Sequence, residues 1–253
     1  MNIIAIIPSR YASTRLPAKP LVDICGTTMI QRVYDQAKKS KLVTDIIVAT
    51  DDERIASVVK SFGGKVQMTP ADIQSGSDRI ALVAKSHRAD IVVNVQGDEP
   101  LIDPLMIDQT IQALIDDPHA VVSTAVKKTM SDQDVFNPNV VKVVLDKNQY
   151  ALYFSRSPIP HIRDAKKDRD WFNGMPFYKH FGLYVYRANF LQQYTAFPQT
   201  LLETAEKLEQ LRILEHGFKI KCVITEYESF PVDTPEDLTK VVEYIKKSST
   251  DSH

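Results

Sequence analysis

The sequence predicts an α/β protein with a mostly parallel central sheet, and two observations carry that prediction. Short apolar runs recur along the first hundred residues, and each is followed by a segment whose apolar residues repeat at helical spacing. A continuous apolar run such as residues 3–7 is typical of a strand buried on both faces. Strands that alternate with helices favour a parallel sheet, and such sheets bind ligands at the carboxyl ends of their strands.

The repeating unit can be followed in order along the first hundred residues. Strands are predicted at residues 3–7, 46–49, 65–69 and 91–95, and helices at residues 30–37, 55–62 and 80–87. Asp51 and Asp52 are placed to cap the second helix at its N-terminus. Gly63 supplies the left-handed residue that often ends a helix.

The predicted elements change character after residue 100. They are a helix at 107–115, a strand at 120–126, a hairpin at 140–154, a strand at 182–186, a helix at 201–216, a strand at 220–224 and a final helix after Thr234. We interpret residues 1–247 as a single α/β domain in which residues 127–190 form a β-rich part. Residues 248–253 are expected to be a frayed tail.

Composition excludes several classes of protein. Lys and Arg total 31 against 32 for Asp and Glu, a net charge of -1, so no electrostatic footprint for a nucleic acid polymer is present. No apolar run approaches the roughly 20 residues of a membrane span, and no basic segment precedes the short apolar run at the N-terminus. Cys25 and Cys222 form no CxxC motif. We therefore expect a cytoplasmic protein without membrane insertion.

A basic loop follows the first predicted strand. Residues 8–20 include Arg10, Arg15 and Lys19 together with several hydroxyl side chains. Because the loop leaves the carboxyl end of a buried strand, its cations and N–H groups can neutralise and bond a polyphosphate. The loop lacks the glycines of the GxGxxG and Walker A motifs, and a plain basic surface loop is the alternative interpretation.

Acidic residues follow another strand and precede the last helix. Asp98 and Glu99 come directly after the strand at residues 91–95, and Mg²⁺ prefers one or two carboxylates with phosphates and waters completing its shell. A turn with an acidic helix cap is the alternative there. Thr234 can cap the final helix alone, so the preceding Asp233 is either a second metal carboxylate or a redundant cap.

Together these segments resemble one family, the 3-deoxy-manno-octulosonate cytidylyltransferases, also called CMP-Kdo synthetases. The matching segments, in family order and spacing, are residues 8–20, 49–55, 75–79, 96–101, 150–156, 180–184, 208–212 and 232–237. The resemblance implies a nucleotide-diphospho-sugar transferase (Rossmann-like) fold, with a mixed, mostly parallel sheet flanked by helices. It also implies a homodimer formed through the smaller β-rich part, which contributes to the sugar-acid site.

The activity that this resemblance implies is the transfer of CMP from CTP to the sugar acid Kdo. The products are CMP-Kdo, for lipopolysaccharide biosynthesis, and pyrophosphate, and the cofactor is Mg²⁺. The sugar's anomeric hydroxyl would attack the α-phosphorus in line, so positioning and charge neutralisation carry catalysis without a covalent nucleophile.

The resemblance assigns roles residue by residue. The implied catalytic residues are Arg10, Lys19, Asp98 and Asp233, of which Asp98 and Asp233 hold the metal. The implied nucleotide contacts are Pro8, Ser9, Arg10, Ser13, Arg15, Lys19, Ser75 and Arg79. The implied sugar-acid contacts are Gln96, Arg156, His180, Tyr184, Glu209 and Gln210. Taken alone, a histidine such as His180 is more often a packed or surface residue than a ligand.

Three positions depart from the family pattern. Ala18 and Pro231 stand where glycine is common, and Ile73 replaces the usual histidine. Alanine tolerates positive φ poorly, so Ala18 either has an ordinary backbone angle or is strained. Some relatives that use an 8-amino analogue of Kdo also lack the histidine, so the same reaction on that amino sugar is one alternative. A non-catalytic CTP-binding regulator is an alternative of another class.

Overall fold

A computed structural model describes residues 1–12, 15–73, 75–129, 131–164 and 175–250 of the 253-residue chain. The chain divides into two units, Met1–Asp108 with Glu228–His253 (unit 1) and Gln109–Tyr227 (unit 2). The last helix continues to Thr250, and residues 251–253 of the predicted tail lie outside the described residues. The predicted bounds of a single domain, residues 1–247, stay a prediction.

Unit 1 contains the repeating strand–helix pattern expected from the sequence. Its strands are β1 (Ile3–Ser9), β2 (Asp23–Ile24), β3 (Thr27–Thr28), β4 (Asp45–Thr50), β5 (Lys65–Met68) and β6 (Ile91–Asn94). Its helices are α1 (Met29–Ala37), α2 (Glu53–Ser61), α3 (Gly76–Ser86), α9 (Pro235–Thr250) and the start of α4 (Pro104–Asp116). Asp52 caps α2 by accepting a hydrogen bond from Arg54 N, as predicted.

The main sheet of unit 1 is parallel throughout. β1 lies between β6 and β4, and β5 pairs with the outer side of β4. Residues 3–7 of β1 are all buried, as expected of a strand covered on both faces. Because β1 and β6 are parallel neighbours, their carboxyl ends meet at one edge, and the segments that follow them lie close together there.

A smaller apolar cluster in unit 1 joins segments far apart in the chain. Leu16, Ile24 and Met29 pack with Val232 and Val241, and all five are buried. Burying an aliphatic side chain of this size stabilises the fold by about 1.5–3 kcal/mol. The cluster therefore anchors the basic loop and the segment before α9 to the same place.

Unit 2 is richer in antiparallel pairing. Its strands are β7 (Val122–Thr129), β8 (Lys142–Leu145), β9 (Ala151–Ser155), β10 (Phe177–Arg187) and β11 (Ile220–Ile224). Its helices are α5 (Asp132–Phe136), α6 (Ala188–Thr195), α7 (Leu201–Glu206) and α8 (Gln210–Glu215), with the end of α4. β7 pairs antiparallel with β10 and parallel with β11, and β8 joins β10 to β9. The α/β class predicted from the sequence is confirmed.

The prediction of one helix over residues 201–216 is wrong. α7 ends at Glu206 because Lys207 adopts a left-handed conformation with φ 55°, and α8 begins at Gln210. Thr200 and Glu203 form a capping box at the start of α7. The apolar spacing of the segment is helical on both sides of the break, so periodicity alone does not reveal it. Among the described residues, no helix combines the length and apolar character needed to span a membrane.

Candidate active site

A cavity of about 310 Å³ opens at the edge where β1 and β6 end. Three segments line it: the basic loop from its start to its end, the residues after β6 and the residue before Thr234. The lining residues are Pro8, Ser9, Arg10, Ala12, Arg15, Lys19, Pro20, Gln96, Gly97, Asp98 and Asp233. The predicted phosphate-binding cations and the predicted metal carboxylates therefore face one space.

Lys19 connects the two acids that the sequence singled out. Its Nζ lies 2.7 Å from Asp98 Oδ2 and 2.9 Å from Asp233 Oδ1. Arg15 Nη2 lies 3.2 Å from the other oxygen of Asp233. The side chains of Lys19, Asp98 and Asp233 keep 17%, 25% and 40% of their surface exposed. The carboxylates thus converge on one cation while all three groups stay accessible from the cavity.

The electrostatics of this cluster favour the charged forms. Burial by itself disfavours the ammonium of Lys19, but the neighbouring carboxylates of Asp98 and Asp233 outweigh that cost and raise the pKa of Lys19 above its ordinary value. Lys19 is therefore a cation at neutral pH. It is available to an anionic ligand that replaces its carboxylate partners.

Two contacts hold the segment after β6 against the segment before α9. Val232 N donates to Asp98 O at 2.9 Å, and Ser229 Oγ donates to Glu99 Oε2. Glu99 is 7% exposed, and its burial and the charge of Asp98 raise its pKa to about 8. The two adjacent acids therefore have different roles. Asp98 lines the cavity, whereas Glu99 is buried, largely protonated and bonded to Ser229.

Gly97 permits the close approach of two strand ends. A Cβ built there would lie 2.9 Å from Pro8 O and 3.0 Å from Ser9 Oγ. This packing role of Gly97 depends on a contact with residues almost ninety positions away, which the local sequence pattern does not reveal.

The basic loop is tied down near its beginning and strained near its end. Arg10 Nη2 donates to Ile73 O, and the guanidinium carbon of Arg54 lies 3.3 Å from the centre of the Tyr11 ring. Ala18 has φ 55° and ψ 29°, so the strained alternative is the one adopted. A short 3₁₀ turn starts at Lys19 directly after this residue, and the left-handed angle therefore sets where the Lys19 side chain begins.

Ser9 supplies a buried polar atom without a protein partner. Its Oγ makes no hydrogen bond within the described part of the chain, although it lines the cavity. An unpaired buried hydroxyl costs about 1–3 kcal/mol. A ligand oxygen in the cavity would satisfy it, which fits the predicted role of Ser9 as a nucleotide contact.

The other predicted nucleotide contacts differ in position. Ser75 is the N-cap of α3, where its side chain accepts from Asp78 N. Arg79 is fully buried, donates to Asp51 Oδ2 at 3.0 Å and contacts Thr69. Its guanidinium thus supports the strand ends in this structure, and its nucleotide contact stays a prediction. Ser13 lies outside the described residues.

In unit 2, the predicted sugar-acid residues His180 and Tyr184 lie in an aromatic cluster. Their ring centres are 5.3 Å apart, and Phe154 packs edge-on against His180. The Tyr184 hydroxyl is buried and makes no hydrogen bond among the described residues. Burial, with a smaller contribution from neighbouring groups, raises the pKa of Tyr184 well above its ordinary value. The phenol is therefore neutral and has a donor to offer.

His180 is also neutral, and its contacts fix its tautomer. Burial lowers the pKa of its imidazole to about 3. Its Nε2 lies 3.0 Å from Thr124 Oγ1, which lies 2.7 Å from Leu183 O. Because the single hydroxyl proton of Thr124 goes to that carbonyl, Nε2 carries the ring proton and Nδ1 is an acceptor.

Arg156 and Glu209, two of the remaining sugar-acid candidates of unit 2, have partners of their own. Arg156 donates through Nε to Glu206 O and through Nη1 to Pro138 O, at 2.8 and 3.0 Å. Gln210, the first residue of α8, is buried, whereas Glu209 is half-buried. Sequence reasoning missed Tyr194, whose hydroxyl donates to Glu209 O at 3.1 Å and so orients that residue. The apolar spacing of α6 gives no signal for this contact.

Comparison with known proteins gives a consistent result. The sequence profile of the family described as "Cytidylyltransferase" matches residues 4–220. A 3-deoxy-manno-octulosonate cytidylyltransferase from Geobacter sulfurreducens is 52% identical, over 97% of this chain and 100% of the relative. A solved structure of CMP:2-keto-3-deoxy-manno-octonic acid synthetase complexed with CTP is 42% identical, with a TM-score of 0.91 over 98% of this chain and 100% of the other.

A more distant structure shows how far the fold extends. A cytidylyltransferase from Leptospira borgpetersenii is 19% identical, with a TM-score of 0.62 over 99% of this chain and 96% of the other. At that identity the likeness shows the fold alone. Together with the 42% identical structure, it confirms the predicted nucleotidyltransferase fold of the Rossmann-like type.

Proposed function

This chain belongs to the cytidylyltransferases, among the 3-deoxy-manno-octulosonate cytidylyltransferases, and on that premise we propose that it transfers CMP from CTP to Kdo. The products are CMP-Kdo and pyrophosphate. The observation that carries the proposal within the structure is the convergence of Lys19, Asp98 and Asp233 on one cavity.

The basic loop accounts for binding of the triphosphate. CTP and Kdo are both anions, and bringing them together costs Coulomb energy unless cations intervene. Arg10, Arg15 and Lys19 line the cavity and supply three positive charges. The unpartnered hydroxyl of Ser9 offers a hydrogen bond at the same place. We assign these four side chains to the phosphates of CTP, with Pro8 beside them and Ser13, Ser75 and Arg79 as further proposed nucleotide contacts.

The chemical step is an in-line displacement at the α-phosphorus. The anomeric oxygen of Kdo forms a bond to that phosphorus, and the bond to the α–β bridging oxygen breaks. Pyrophosphate leaves with the bonding electrons, and the hydroxyl proton passes to solvent. Lys19 and Arg10 stabilise the negative charge that spreads over the phosphoryl oxygens. The active site lowers the barrier by holding and neutralising groups, without a covalent enzyme intermediate.

Asp98 and Asp233 fit a magnesium site. Both are carboxylates, which Mg²⁺ prefers, and both already contact a single cation, Lys19 Nζ. No group of three or more His, Cys, Asp or Glu side chains suited to a metal is present among the described residues, so the phosphates and waters complete the proposed shell. When bound, the metal supplies charge stabilisation at the α-phosphate.

For the sugar acid we propose two neutral contacts, one cation and three further polar residues. Tyr184 offers a hydroxyl donor and His180 Nδ1 an acceptor, which suit sugar hydroxyls. Arg156 is the proposed partner of the sugar carboxylate, since guanidinium groups pair well with carboxylates. The remaining proposed sugar-acid contacts are Gln96, Glu209 and Gln210.

Three further properties of the family belong to the proposal. We infer a homodimer, a cytoplasmic location and a place in lipopolysaccharide biosynthesis, all from the family resemblance. Light scattering at micromolar concentration tests the dimer, and a monomeric mass would contradict it. The amino-sugar enzyme and the non-catalytic regulator are not favoured, because the close relatives are named as Kdo enzymes.

The test is pyrophosphate release from CTP with Mg²⁺ and one of three acceptors: Kdo, its 8-amino analogue or buffer. Release with Kdo that exceeds release with the other two, and a CMP-Kdo product seen by mass spectrometry, is the expected result. A large preference for the amino sugar would overturn the choice of substrate. Binding of CTP with no release for either sugar would support the regulator.

A further inference from the structure

We propose that Lys19 is the resident cation of the Asp98–Asp233 pair and leaves that pair when a divalent cation binds, so that metal and CTP bind cooperatively by exchanging partners. The inference rests on the proposed function, because it takes the two acids as metal ligands. It concerns how Lys19 and the two acids pair with one another, which the family resemblance does not describe.

The ammonium of Lys19 lies between the carboxylates of Asp98 and Asp233, the position that a metal ion bound by both acids would take. Lys19 Nζ contacts one oxygen of each carboxylate, at 2.7 and 2.9 Å. Only 17% of the Lys19 side chain is exposed, so the ammonium is held between the acids rather than extended into solvent. A metal that binds between these same two oxygens would have to displace the ammonium.

The formal charges of the cluster balance before any ligand arrives. Asp98 and Asp233 carry two negative charges, and Lys19 and Arg15 carry two positive ones. A divalent cation that arrives alone meets carboxylates already neutralised, and a triphosphate that arrives alone meets Lys19 and Arg15 already paired with those carboxylates. Each ligand is therefore opposed by the ion pairs that the other ligand would release.

When both ligands bind, the partners are exchanged. The metal takes the carboxylates and the phosphates take Lys19, so the acids and the ammonium each keep a partner of opposite charge. Thermodynamic linkage then requires each ligand to strengthen the binding of the other by the same factor. Direct binding of phosphate oxygens to the metal also contributes to this increase in affinity. The partner exchange contributes a further part, and only that part depends on Lys19.

Lys19 rather than Arg15 is the principal exchanging group. Arg15 is 65% exposed and reaches a single oxygen of Asp233 at 3.2 Å. Exposed ion pairs of this kind contribute about 0–1 kcal/mol. Substitution of Arg15 should consequently change metal binding less than substitution of Lys19.

The experiment measures Mn²⁺ and CTP binding to the full chain for the wild type and Lys19→Met. Mn²⁺ alone is titrated by electron paramagnetic resonance, and CTP alone is titrated by calorimetry in the presence of a chelator. We expect Lys19→Met to bind Mn²⁺ more tightly and CTP more weakly, each by about tenfold, within the usual range of coupling between sites. Lys60→Met, an exposed residue of α2, is the control and should change neither.

The opposite signs of the two changes separate exchange from simple damage to the fold. Lys19→Gln, which is uncharged but polar, should show the same pair of changes and serves if Lys19→Met does not fold. Mn²⁺ binding to either folded variant that equals or is weaker than wild-type binding would overturn the inference. The proposed function fails separately, through absence of pyrophosphate release by the wild type, because the Mn²⁺ titration needs no sugar and no turnover.

Discussion

Two clusters of polar side chains, one in each unit, are held in different ways. In unit 1, Lys19, Asp98 and Asp233 keep part of their surface open and satisfy one another by charge. In unit 2, burial holds His180 and Tyr184 in neutral forms among aromatic rings. The charged cluster therefore remains accessible to an anionic ligand, which can replace one of its ion-pair partners. The His180–Tyr184 cluster is uncharged, and it lies where burying an ion would be costly.

Gly97→Ala should give the largest loss of stability. It tests whether the Lys19–Asp98–Asp233 cluster depends on close packing of the backbone at the ends of β1 and β6. The new Cβ would meet Pro8 O, a backbone atom, at 2.9 Å, so the strand ends must move apart. We expect a loss of about 3 kcal/mol in the free energy of unfolding, at the upper end for overpacking.

Gly76→Ala is the matched control for that substitution. Its Cβ would lie 3.7 Å from Pro8 Cγ, an ordinary contact, at the first residue of α3. Alanine is the better helix former, so stability should be unchanged or slightly higher. Urea unfolding of both variants checks the pair, and equal midpoints would show that the close approach at Gly97 is unimportant.

His180→Gln tests, through the pH dependence of stability, whether the buried imidazole of His180 is neutral. The pKa of His180 is about 3 in the folded chain and 6.5 ordinarily, so between these values the unfolded chain binds a proton that the folded chain does not. The stability that depends on the neutral imidazole is fully present above pH 6.5. It is lost as the pH falls, and the free energy of unfolding decreases by about 2 kcal/mol between pH 6.5 and 5. The variant should lack this loss.

The measurement is the difference in unfolding free energy between the wild type and His180→Gln at each pH. That difference should move by about 2 kcal/mol in favour of the variant from pH 6.5 to 5. His119→Gln, at an exposed position after α4, is the control. A difference for His180→Gln that stays constant with pH would contradict a buried neutral imidazole.

Ala18→Gly should give the smallest effect and tests strain in the basic loop. Alanine at φ 55° is strained by about 1–2 kcal/mol, and the greater freedom of glycine in the unfolded chain offsets part of that relief. We expect a net gain of about 0.5–1 kcal/mol. Ala196→Gly, at φ −85°, should instead destabilise the protein, and a loss of stability in both variants would argue against strain at Ala18.

The sequence predicted the features that depend on local pattern. The buried run of β1, the cap at Asp52 and the strand that delivers Asp98 all follow from neighbouring residues. The residues alone left Asp233 as either a second metal carboxylate or a redundant cap. The family resemblance assigned it to the metal with Asp98, and their shared contact with Lys19 agrees with that pairing.

The features that the sequence could not predict depend on distant contacts or on unusual backbone angles. Glu99 finds Ser229, 130 residues away, and Gly97 is constrained by Pro8. Lys207 ends α7 by adopting a left-handed backbone angle, and no neighbouring glycine in the sequence signals it. The resemblance left two conformations open for Ala18, and only the folded chain selects one.

The central claim is that Asp98 and Asp233 act as one unit, and a double-mutant cycle tests it most directly. Asp98→Asn and Asp233→Asn should each lower kcat/KM for CMP transfer to Kdo by about 10²–10³-fold, the cost of losing one element of charge stabilisation. Because the two residues share one centre, the double variant should be no more than a few-fold worse than the poorer single variant. Losses that multiply, to about 10⁴–10⁶-fold, would show that the two acids act independently and would contradict the account.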